Sequence, residues 1–239
     1  MAAVRVMRGS SDLRRGAALW AVKNVVFVAV SALILLAVSG DPRWLAAWSY
    51  LGFLVLYLLT LAVTLYRLHP EMLAERSGVQ PGSESWDVPL ASLSAVWLPL
   101  TLYLVSALDQ RFVAATTLRP AWVFLGVGLV VVGSTLVLAA MAANAYFSSV
   151  VRLQADRGHR VVDSGPYRFV RHPGYLGACL IYPGVALWLG SVWALLPAAA
   201  IVIVTGVRTA KEDNFLTANL AGYADYSRHV RWRLVPVVW

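Results

Sequence analysis

The sequence is poor in cysteine, in charge and in clustered histidine, and each shortage excludes a class of protein. Its single cysteine, Cys179, lies inside an apolar segment, so no intrachain disulfide can form. The four histidines are scattered without a His-x-x-x-His pair, which leaves a zinc or di-iron site without support. Only 13% of the residues are charged and 59% are hydrophobic, whereas soluble domains carry about 25% charged residues. This composition indicates a chain that lies in lipid.

Four apolar runs are long enough to cross a bilayer as helices. They cover residues 17–38, 44–66, 88–108 and 121–143, and a transmembrane helix needs roughly 20 residues. The first run follows a basic N-terminal stretch, but it is longer than the roughly 7–15 apolar residues of a signal peptide. We therefore expect it to be retained as a span. Pro99 predicts a kink in the third span.

The last apolar run, residues 174–207, is too long for one span and is interrupted by Pro183, Gly190 and Pro197. Its halves of about 16 residues are short for full crossings, so we expect a tight helical hairpin that is tilted or not fully spanning. Residues 208–239 alternate aromatic and basic side chains, as in a segment that lies on the membrane interface. The predicted fold is all-α: a polytopic transmembrane bundle with four full spans, a short C-terminal helical hairpin and an interfacial amphipathic tail.

The sequence has no fixed-period repeat and no low-complexity linker, so we expect one membrane domain over residues 1–239. Residues 1–143 would hold the four spans, and residues 144–239 would hold a polar loop, the hairpin and the tail. With a cytoplasmic N-terminus, sixteen of the twenty Lys and Arg residues lie on the cytoplasmic side and three on the other. This asymmetry predicts that both termini are cytoplasmic, and we expect a bacterial inner (plasma) membrane.

The placement of charge also bears on partners and function. The net charge of +8 lies in loops and tails between apolar spans, which indicates a membrane surface with anionic lipid rather than nucleic acid. The later spans and the hairpin contain no Asp, Glu, Lys, Arg or His. Because ion and proton pathways need ionisable groups inside the membrane, a proton-coupled transporter or channel is disfavoured. The polar groups gather beside the hairpin, which predicts an interfacial site for one polar and one lipophilic ligand.

Three glycines in the fourth span, Gly126, Gly128 and Gly133, superficially match a dinucleotide fingerprint. Their spacing is Gly-x-Gly-x-x-x-x-Gly and no strand precedes them. We expect them instead to allow close packing between helices.

The densest group of candidate functional residues is the stretch 163–177, Asp-Ser-Gly-Pro-Tyr-Arg-Phe-Val-Arg-His-Pro-Gly-Tyr-Leu-Gly. Pro173 suits the first turn of a helix, and a helix start offers backbone amides and a positive dipole end to an anion. The alternative is an interfacial anchor, with arginines outside the bilayer and tyrosines at headgroup depth. The stretch by itself fits both.

The motifs of residues 144–239 resemble the isoprenylcysteine carboxyl methyltransferases and the related membrane phospholipid methyltransferases. The matching motifs are Gly165-Pro166-Tyr167, Arg171-His172-Pro173-x-Tyr175-x-Gly177, Arg208-Thr209-x-x-Glu212-Asp213-x-x-Leu216 and Tyr223-x-x-Tyr226. The resemblance implies that S-adenosylmethionine binds between the last two helices and the tail.

The resemblance also implies roles for individual residues. The implied cofactor contacts are Gln154, His159, Arg160, Val161, Val162, Tyr167, His172, Pro173, Gly174, Tyr175 and Glu212. Arg208 would contact the substrate, in particular a carboxylate, and Arg208 and His172 would be the catalytic residues.

Other interpretations of these residues remain open. Arg208 and Glu212 could form an i,i+4 surface pair, worth only about 0.2–0.5 kcal/mol, and His159 could belong to a plain loop. We expect Asp213 to be solvated, and His69, His229 and the tail arginines to face membrane or solvent.

The sequence therefore predicts a membrane methyltransferase that uses S-adenosylmethionine and methylates a lipophilic acceptor. A carboxylate of an isoprenylcysteine-like substrate is favoured because it is ionised at neutral pH and needs no general base. The alternatives are a phospholipid-amine or thiol methyltransferase on the same scaffold, and a non-catalytic lipid-binding membrane protein. We expect prenylated or other lipophilic substrates and membrane lipid as partners, with no nucleic acid and no metal.

Overall fold

A computed structural model describes residues 10–113 and 118–239. The α-helices in chain order are α1 (Ser10–Leu33), α2 (Leu45–Leu68), α3 (Pro70–Glu75), α4 (Asp87–Ser92), α5 (Leu98–Leu108), α6 (Pro120–Ala143), α7 (Pro173–Trp188), α8 (Leu195–Asn219) and α9 (Tyr223–His229). Short 3₁₀ turns at Ala155–Arg157 and Gly165–Arg168 interrupt the loop before α7. The described residues contain no strand, so the predicted all-α fold is confirmed.

Four helical segments are long and apolar enough to cross a membrane. They are Leu13–Val38, Leu45–Leu68, Asp87–Val113 and Pro120–Ala143. These segments confirm the four predicted spans. The third combines α4 and α5 through a π-helical turn, Leu93–Trp97. That turn lies directly before Pro99, where the proline ring would clash with the carbonyl of an ordinary α-helical turn.

The predicted C-terminal hairpin consists of α7 and α8, but α8 is longer than we expected. Pro183 lies inside α7 without ending it, and Pro197 falls in the first turn of α8, where its missing N–H is harmless. The α8 helix has 25 residues because it continues through the polar segment after residue 207. The hairpin therefore combines a short first helix with a long second helix.

The turn of the hairpin reaches the far end of the bundle. The Ser191 hydroxyl donates a 2.6 Å hydrogen bond to Asp109, just beyond the end of α5. Nearby, the Trp188 indole donates a 3.0 Å hydrogen bond to Ser49, near the start of α2. The turn of the hairpin thus lies beside the end of α5 and the first turns of α2.

Glycines hold α6 and α7 close together, as expected for two of the three glycines of the fourth span. A Cβ on Gly133 would lie 2.6 Å from the Gly177 carbonyl oxygen, and one on Gly126 would lie 2.7 Å from that of Gly184. Gly128 has no such neighbour within 4 Å. The tight contact fixes the start of α7 against the end of α6.

Three polar segments meet at one end of the bundle, which we call the polar end. They are residues 69–87, 144–172 and 208–239. Arg152 binds Glu75 through Nε–Oε1 and Nη2–Oε2 contacts of 2.7 and 3.0 Å, which joins the first segment to the second. The Arg171 amide donates to the Trp232 carbonyl at 2.9 Å, which joins the second to the third.

Candidate functional site

An open cavity lies at the polar end, between the loop of residues 144–172, the start of α7, the end of α8 and α9. The space within it and in its open mouth is together about 810 Å³. Nine of the eleven expected cofactor contacts line it: His159, Arg160, Val161, Val162, Tyr167, His172, Gly174, Tyr175 and Glu212. The expected residues therefore surround one cavity.

Gln154 and Pro173, the other two, do not line the cavity. The Gln154 side chain is fully buried and folds the loop: its amide donates to the Tyr146 carbonyl at 2.6 Å, and its oxygen accepts from Arg157 at 2.6 Å. Pro173 begins α7 as expected and is buried. Both residues act on the shape of the cavity wall rather than on its contents.

His159 is part of the same loop and lies over the Tyr146 ring, with the ring centroids 4.7 Å apart. Its Nδ1 accepts a 3.3 Å hydrogen bond from the Gln154 amide. Burial, followed by the charges of Arg152 and Arg157, lowers the pKa of His159 to about 4. His159 therefore contributes a neutral aromatic ring, not a cation, to the cavity wall at physiological pH.

The Arg171 side chain clamps the C-terminal tail against the start of α7. Its Nη1 donates to the carbonyls of Val230 and Arg231 at 2.8 and 2.9 Å. Its Nε and Nη2 bind the two carboxylate oxygens of Asp213 at 2.7 and 2.9 Å. Arg171 therefore closes one side of the cavity by fixing the tail, so it is not the membrane anchor of the alternative interpretation.

Asp213 is the centre of this network, and the expectation that it is solvated is wrong. Only 3% of Asp213 is exposed, and its oxygens also accept from Arg233 at 2.8 Å and Tyr223 at 2.9 Å. Burial alone would raise the pKa of Asp213, but His172, Arg171 and Arg233 outweigh it and hold the pKa far below its usual range. The carboxylate stays ionised, and Arg233 turns inward instead of facing membrane or solvent.

His172 lines the cavity, but its Nε2 atom is already within hydrogen-bond distance of two protein groups. That atom lies 3.2 Å from Asp213 and 3.3 Å from the Tyr223 hydroxyl. The imidazole stacks on the Tyr175 ring at 5.8 Å. The amides of Tyr175 and Leu176 both donate to the His172 carbonyl at 3.1 Å, so these two first-turn amides are not free for a ligand anion.

Tyr175 and Glu212 meet across the cavity. The Tyr175 hydroxyl donates a 2.5 Å hydrogen bond to a Glu212 carboxylate oxygen. Among the described residues Glu212 forms no ion pair, unlike Glu75, Asp87 and Asp213. Glu212 thus offers the cavity a carboxylate that forms no salt bridge with a described arginine, and it does not form the i,i+4 pair with Arg208, whose charge acts on it only at longer range.

Arg208 lies behind this pair, outside the cavity lining. Its Nε and Nη2 bind the two Asp87 oxygens at 2.7 and 2.8 Å, and Nη2 also reaches the Ser149 carbonyl at 3.1 Å. The guanidinium carbon is 5.2 Å from the centre of the Tyr175 ring. Two of the three guanidinium nitrogens therefore hold Asp87, and Nη1 has no hydrogen-bond partner within residues 10–113 and 118–239.

Sequence reasoning missed Asp87, Glu75 and Tyr223 as parts of this site. Asp87 pairs with a residue 121 positions away and Glu75 with one 77 positions away, so no local spacing reveals either pair. Asp87 did carry one signal, because a lone carboxylate directly before an apolar span needs a partner. Tyr223 belongs to the Tyr223-x-x-Tyr226 motif, but no role was expected for its hydroxyl, which binds Asp213.

Comparisons with known proteins agree with the motifs. Residues 121–221 match the family model described as phospholipid methyltransferase. Two rice proteins, from Oryza sativa subsp. indica and subsp. japonica, are each 31% identical to this chain over 67 residues. Both carry the name "Probable protein-S-isoprenylcysteine O-methyltransferase". The aligned part covers 28% of this chain and 35% of each rice protein.

These matches confirm the resemblance indicated by the motifs, with shifted limits. The family match begins at the start of α6, before the expected residue 144, and ends at residue 221, before α9. It includes the α6–α7 glycine contact and all the cavity residues contributed by the loop, α7 and α8. The tail that Arg171 holds in place lies outside it.

Proposed function

With the family match of residues 121–221 as the premise, we propose that this protein is an S-adenosylmethionine-dependent methyltransferase of the membrane. It transfers a methyl group to a lipophilic acceptor, and the favoured acceptor group is the carboxylate of an isoprenylcysteine-like molecule. The rice proteins' names support this acceptor. We further propose that residues 1–239 act as one membrane domain, since Asp87 and Glu75 of the first part bind Arg208 and Arg152 of the second.

The observation that carries the proposal is the Glu212 carboxylate in the cavity, held by the Tyr175 hydroxyl and by no arginine among the described residues. S-adenosylmethionine bears an ammonium and a sulfonium, both of which favour a nearby carboxylate and aromatic faces. Glu212 and the rings of Tyr175, Tyr167 and His159 supply these groups around one space. The donor set therefore fits this cofactor.

The remaining contacts divide between the two ends of the cofactor. We assign Arg160, a cation in the lining, to the cofactor carboxylate, and Val161 and Val162 to the flat face of its adenine. His172 and Gly174 form the wall where α7 begins, and Gln154 and Pro173 support that wall. When bound, the cofactor supplies an electrophilic methyl group on its sulfonium sulfur.

The residues of the chain contribute alignment and exclusion of water. Tyr175 orients Glu212, and Asp213 orients His172 and the tail, so the cavity wall is held before any ligand binds. Such alignment of reactants is worth up to about 7–11 kcal/mol of the barrier. We propose that Arg208 holds Tyr175 through its ring face and meets the acceptor through Nη1, while His172 positions Tyr175 by stacking.

A second candidate function is methylation of a phospholipid amine, and the name of the matched family favours it. An amine must lose a proton before it can attack. Glu212 and His172 are the groups of the lining that could accept that proton. A thiol acceptor would also have to lose a proton first, whereas a non-catalytic lipid-binding protein would need no proton acceptor.

The membrane arrangement is also proposed. We infer that the four apolar helices cross the bilayer with both termini and the polar end in the cytoplasm. The cavity would then open at the inner leaflet of a bacterial plasma membrane, where a lipophilic acceptor arrives from the bilayer and the cofactor from water.

The test is transfer of a labelled methyl group by the purified full-length protein in lipid nanodiscs. Three acceptors are offered separately: N-acetyl-S-farnesylcysteine, phosphatidylethanolamine and a small thiol. We expect label on the farnesylcysteine carboxylate, released by mild base as expected of an ester. Label on phosphatidylethanolamine instead establishes the second candidate. No transfer to any of the three, together with no saturable binding of S-adenosylmethionine, favours the non-catalytic alternative.

A further inference from the structure

Arg76, at the end of α3, differs from the other arginines of the polar end. Its Nε and Nη1 atoms are buried and have no hydrogen-bond partner among the residues the structure describes. Other arginines at the polar end differ: Arg152 is paired with Glu75, Arg171 with Asp213 and Arg208 with Asp87. A buried guanidinium without an anion carries a large desolvation penalty. The site therefore favours an anion that the described part of the chain does not supply.

The backbone holds Arg76 firmly in this position. Its amide donates to the Met72 carbonyl at 3.0 Å, so the residue ends α3. Helix α3 is in turn packed tightly against α1, where a Cβ on Gly16 would lie 2.6 Å from Ala74. The backbone position of Arg76 is thus a property of the fold rather than of a loose loop.

Arg76 lies between the cavity wall and a membrane helix. Its guanidinium carbon is 5.6 Å from the centre of the Phe147 ring, and Phe147 lines the cavity. Burial first, and then the like charge of Arg208, lower the pKa of Arg76, while Tyr57 and Tyr175 oppose them. Tyr57 belongs to the span α2 and Tyr175 to the cavity lining. Arginine nevertheless remains protonated in proteins, so the site carries a full positive charge.

Two buried carboxylates of the same polar segment, residues 69–87, are already occupied. Glu75 is held by two bonds from Arg152, and Asp87 by two bonds from Arg208. A planar guanidinium binds carboxylate and phosphate with paired hydrogen bonds. An anionic group on a molecule that enters along α2 from the bilayer would meet Arg76 beside Tyr175, next to the cofactor cavity.

We propose that Arg76 binds the anionic group, carboxylate or phosphate, of the lipophilic methyl acceptor. This inference rests on the proposed function for the identity of the ligand. It assigns acceptor recognition to a residue outside the segment matched by the family model. It also gives the acceptor a binding cation with free donors, while Arg208 remains bound to Asp87.

The experiment measures binding directly, so that it does not depend on methyl transfer. The full-length protein in detergent is titrated with N-acetyl-S-farnesylcysteine, with its neutral methyl ester, with dihexanoyl phosphatidic acid and with inorganic phosphate. The variants are Arg76→Met, which removes the charge, and Arg76→Lys, which keeps it. Arg67→Met is the matched control, since Arg67 is an exposed arginine at the end of α2. The S-adenosylmethionine Kd and the Tm are recorded for each variant.

We expect Arg76→Met to weaken binding of one anionic amphiphile by about 10- to 100-fold. Arg76→Lys should recover part of that loss, and the ester, the cofactor Kd and Arg67→Met should change little. Because Arg76→Met removes an unpaired buried charge, its Tm should rise above the wild-type value, whereas loss of a merely structural contact would lower it. The amphiphile that the wild type binds more tightly shows whether Arg76 recognises a carboxylate or a phosphate.

Three results would overturn the inference. The first is an equal loss of affinity for the ester and the acid in Arg76→Met. The second is unchanged affinity for both anionic amphiphiles in that variant. The third is a raised Kd for the cofactor with the amphiphiles unaffected, which would assign Arg76 to the cofactor carboxylate. Inorganic phosphate that binds as tightly as the amphiphiles would also contradict a lipophilic ligand. If the wild type binds the acid but transfers no methyl group, the proposed function fails and the anion site stands.

Discussion

The Tyr175 hydroxyl binds the Glu212 carboxylate at 2.5 Å, although the two residues are 37 positions apart in sequence. One residue lies in the first turn of α7 and the other in the last third of α8, so the contact joins the two helices of the hairpin across the open cavity. The pair places an ionised group in the cavity in a fixed orientation.

Replacing Tyr175 with Phe removes that orientation while leaving the ring in the wall. We expect the Kd for S-adenosylmethionine to rise by about 10- to 160-fold, since a hydrogen bond to a charged group is worth roughly 1.5–3 kcal/mol. Isothermal titration calorimetry on the detergent-solubilised protein measures the change. The control is Tyr66→Phe, at an exposed ring near the end of α2. Equal Kd values for wild type and Tyr175→Phe would contradict the role of the hydroxyl.

Replacing Asp213 with Asn should destabilise the protein by about 3–5 kcal/mol, because it leaves the charges of a buried ion network uncompensated. Thermal or denaturant unfolding in detergent measures this loss. Asp225→Asn removes a carboxylate whose pair with Arg228 is exposed, and we expect a change of at most about 1 kcal/mol. If the two variants unfold alike, the Asp213 network does not hold the tail.

The pKa of Asp213 is held below its usual range, so the stability it contributes is present above its unfolded pKa of about 3.9. That contribution is lost only as pH falls through the lower folded pKa. We therefore expect this network to remain intact at mildly acidic pH.

His159, in contrast to Asp213, should make stability depend on pH in a range that is easily measured. Its folded pKa is about 4, below the unfolded value of about 6.5, so the unfolded chain binds the proton more readily. The stability contributed by the neutral imidazole is full above about pH 6.5 and declines as pH falls towards 4. The Tm of the wild type should fall over this window, and His159→Asn should reduce the slope. His229→Asn, at an exposed site, should leave the slope unchanged; equal slopes in all three proteins would refute the assignment.

The glycine contact between α6 and α7 gives a matched pair of substitutions in one helix. Gly133→Ala places a Cβ 2.6 Å from the Gly177 carbonyl, and such overpacking costs about 1–3 kcal/mol. Gly128→Ala meets no neighbour within 4 Å and should be neutral or stabilising by up to about 1 kcal/mol. Unfolding in detergent compares them. A Gly128→Ala protein less stable than Gly133→Ala would exclude the close approach of the two helices.

The sequence predicted what depends on local pattern and missed what depends on distant pairing. The length of the apolar runs predicted the four spans. Pro173 predicted the start of α7, and the family resemblance of the motifs implied that Tyr175 and Glu212 face one site. The length of α8 was underestimated because the apolar run ends at residue 207, whereas the helix continues through the polar segment to Asn219. The partner of Asp213 could not be predicted, since Arg171 and Arg233 reach it only once the tail folds back.

The most direct test of the account is calorimetric titration of the full-length wild-type protein with S-adenosylmethionine, beside Glu212→Gln and the exposed-site control Glu71→Gln. We predict saturable binding by wild type and Glu71→Gln, and binding about 10- to 100-fold weaker in Glu212→Gln, since one partner of a charge pair is removed. Absence of binding by the wild type at millimolar cofactor, or equal affinity in Glu212→Gln, would contradict the central claim that this cavity is a cofactor site.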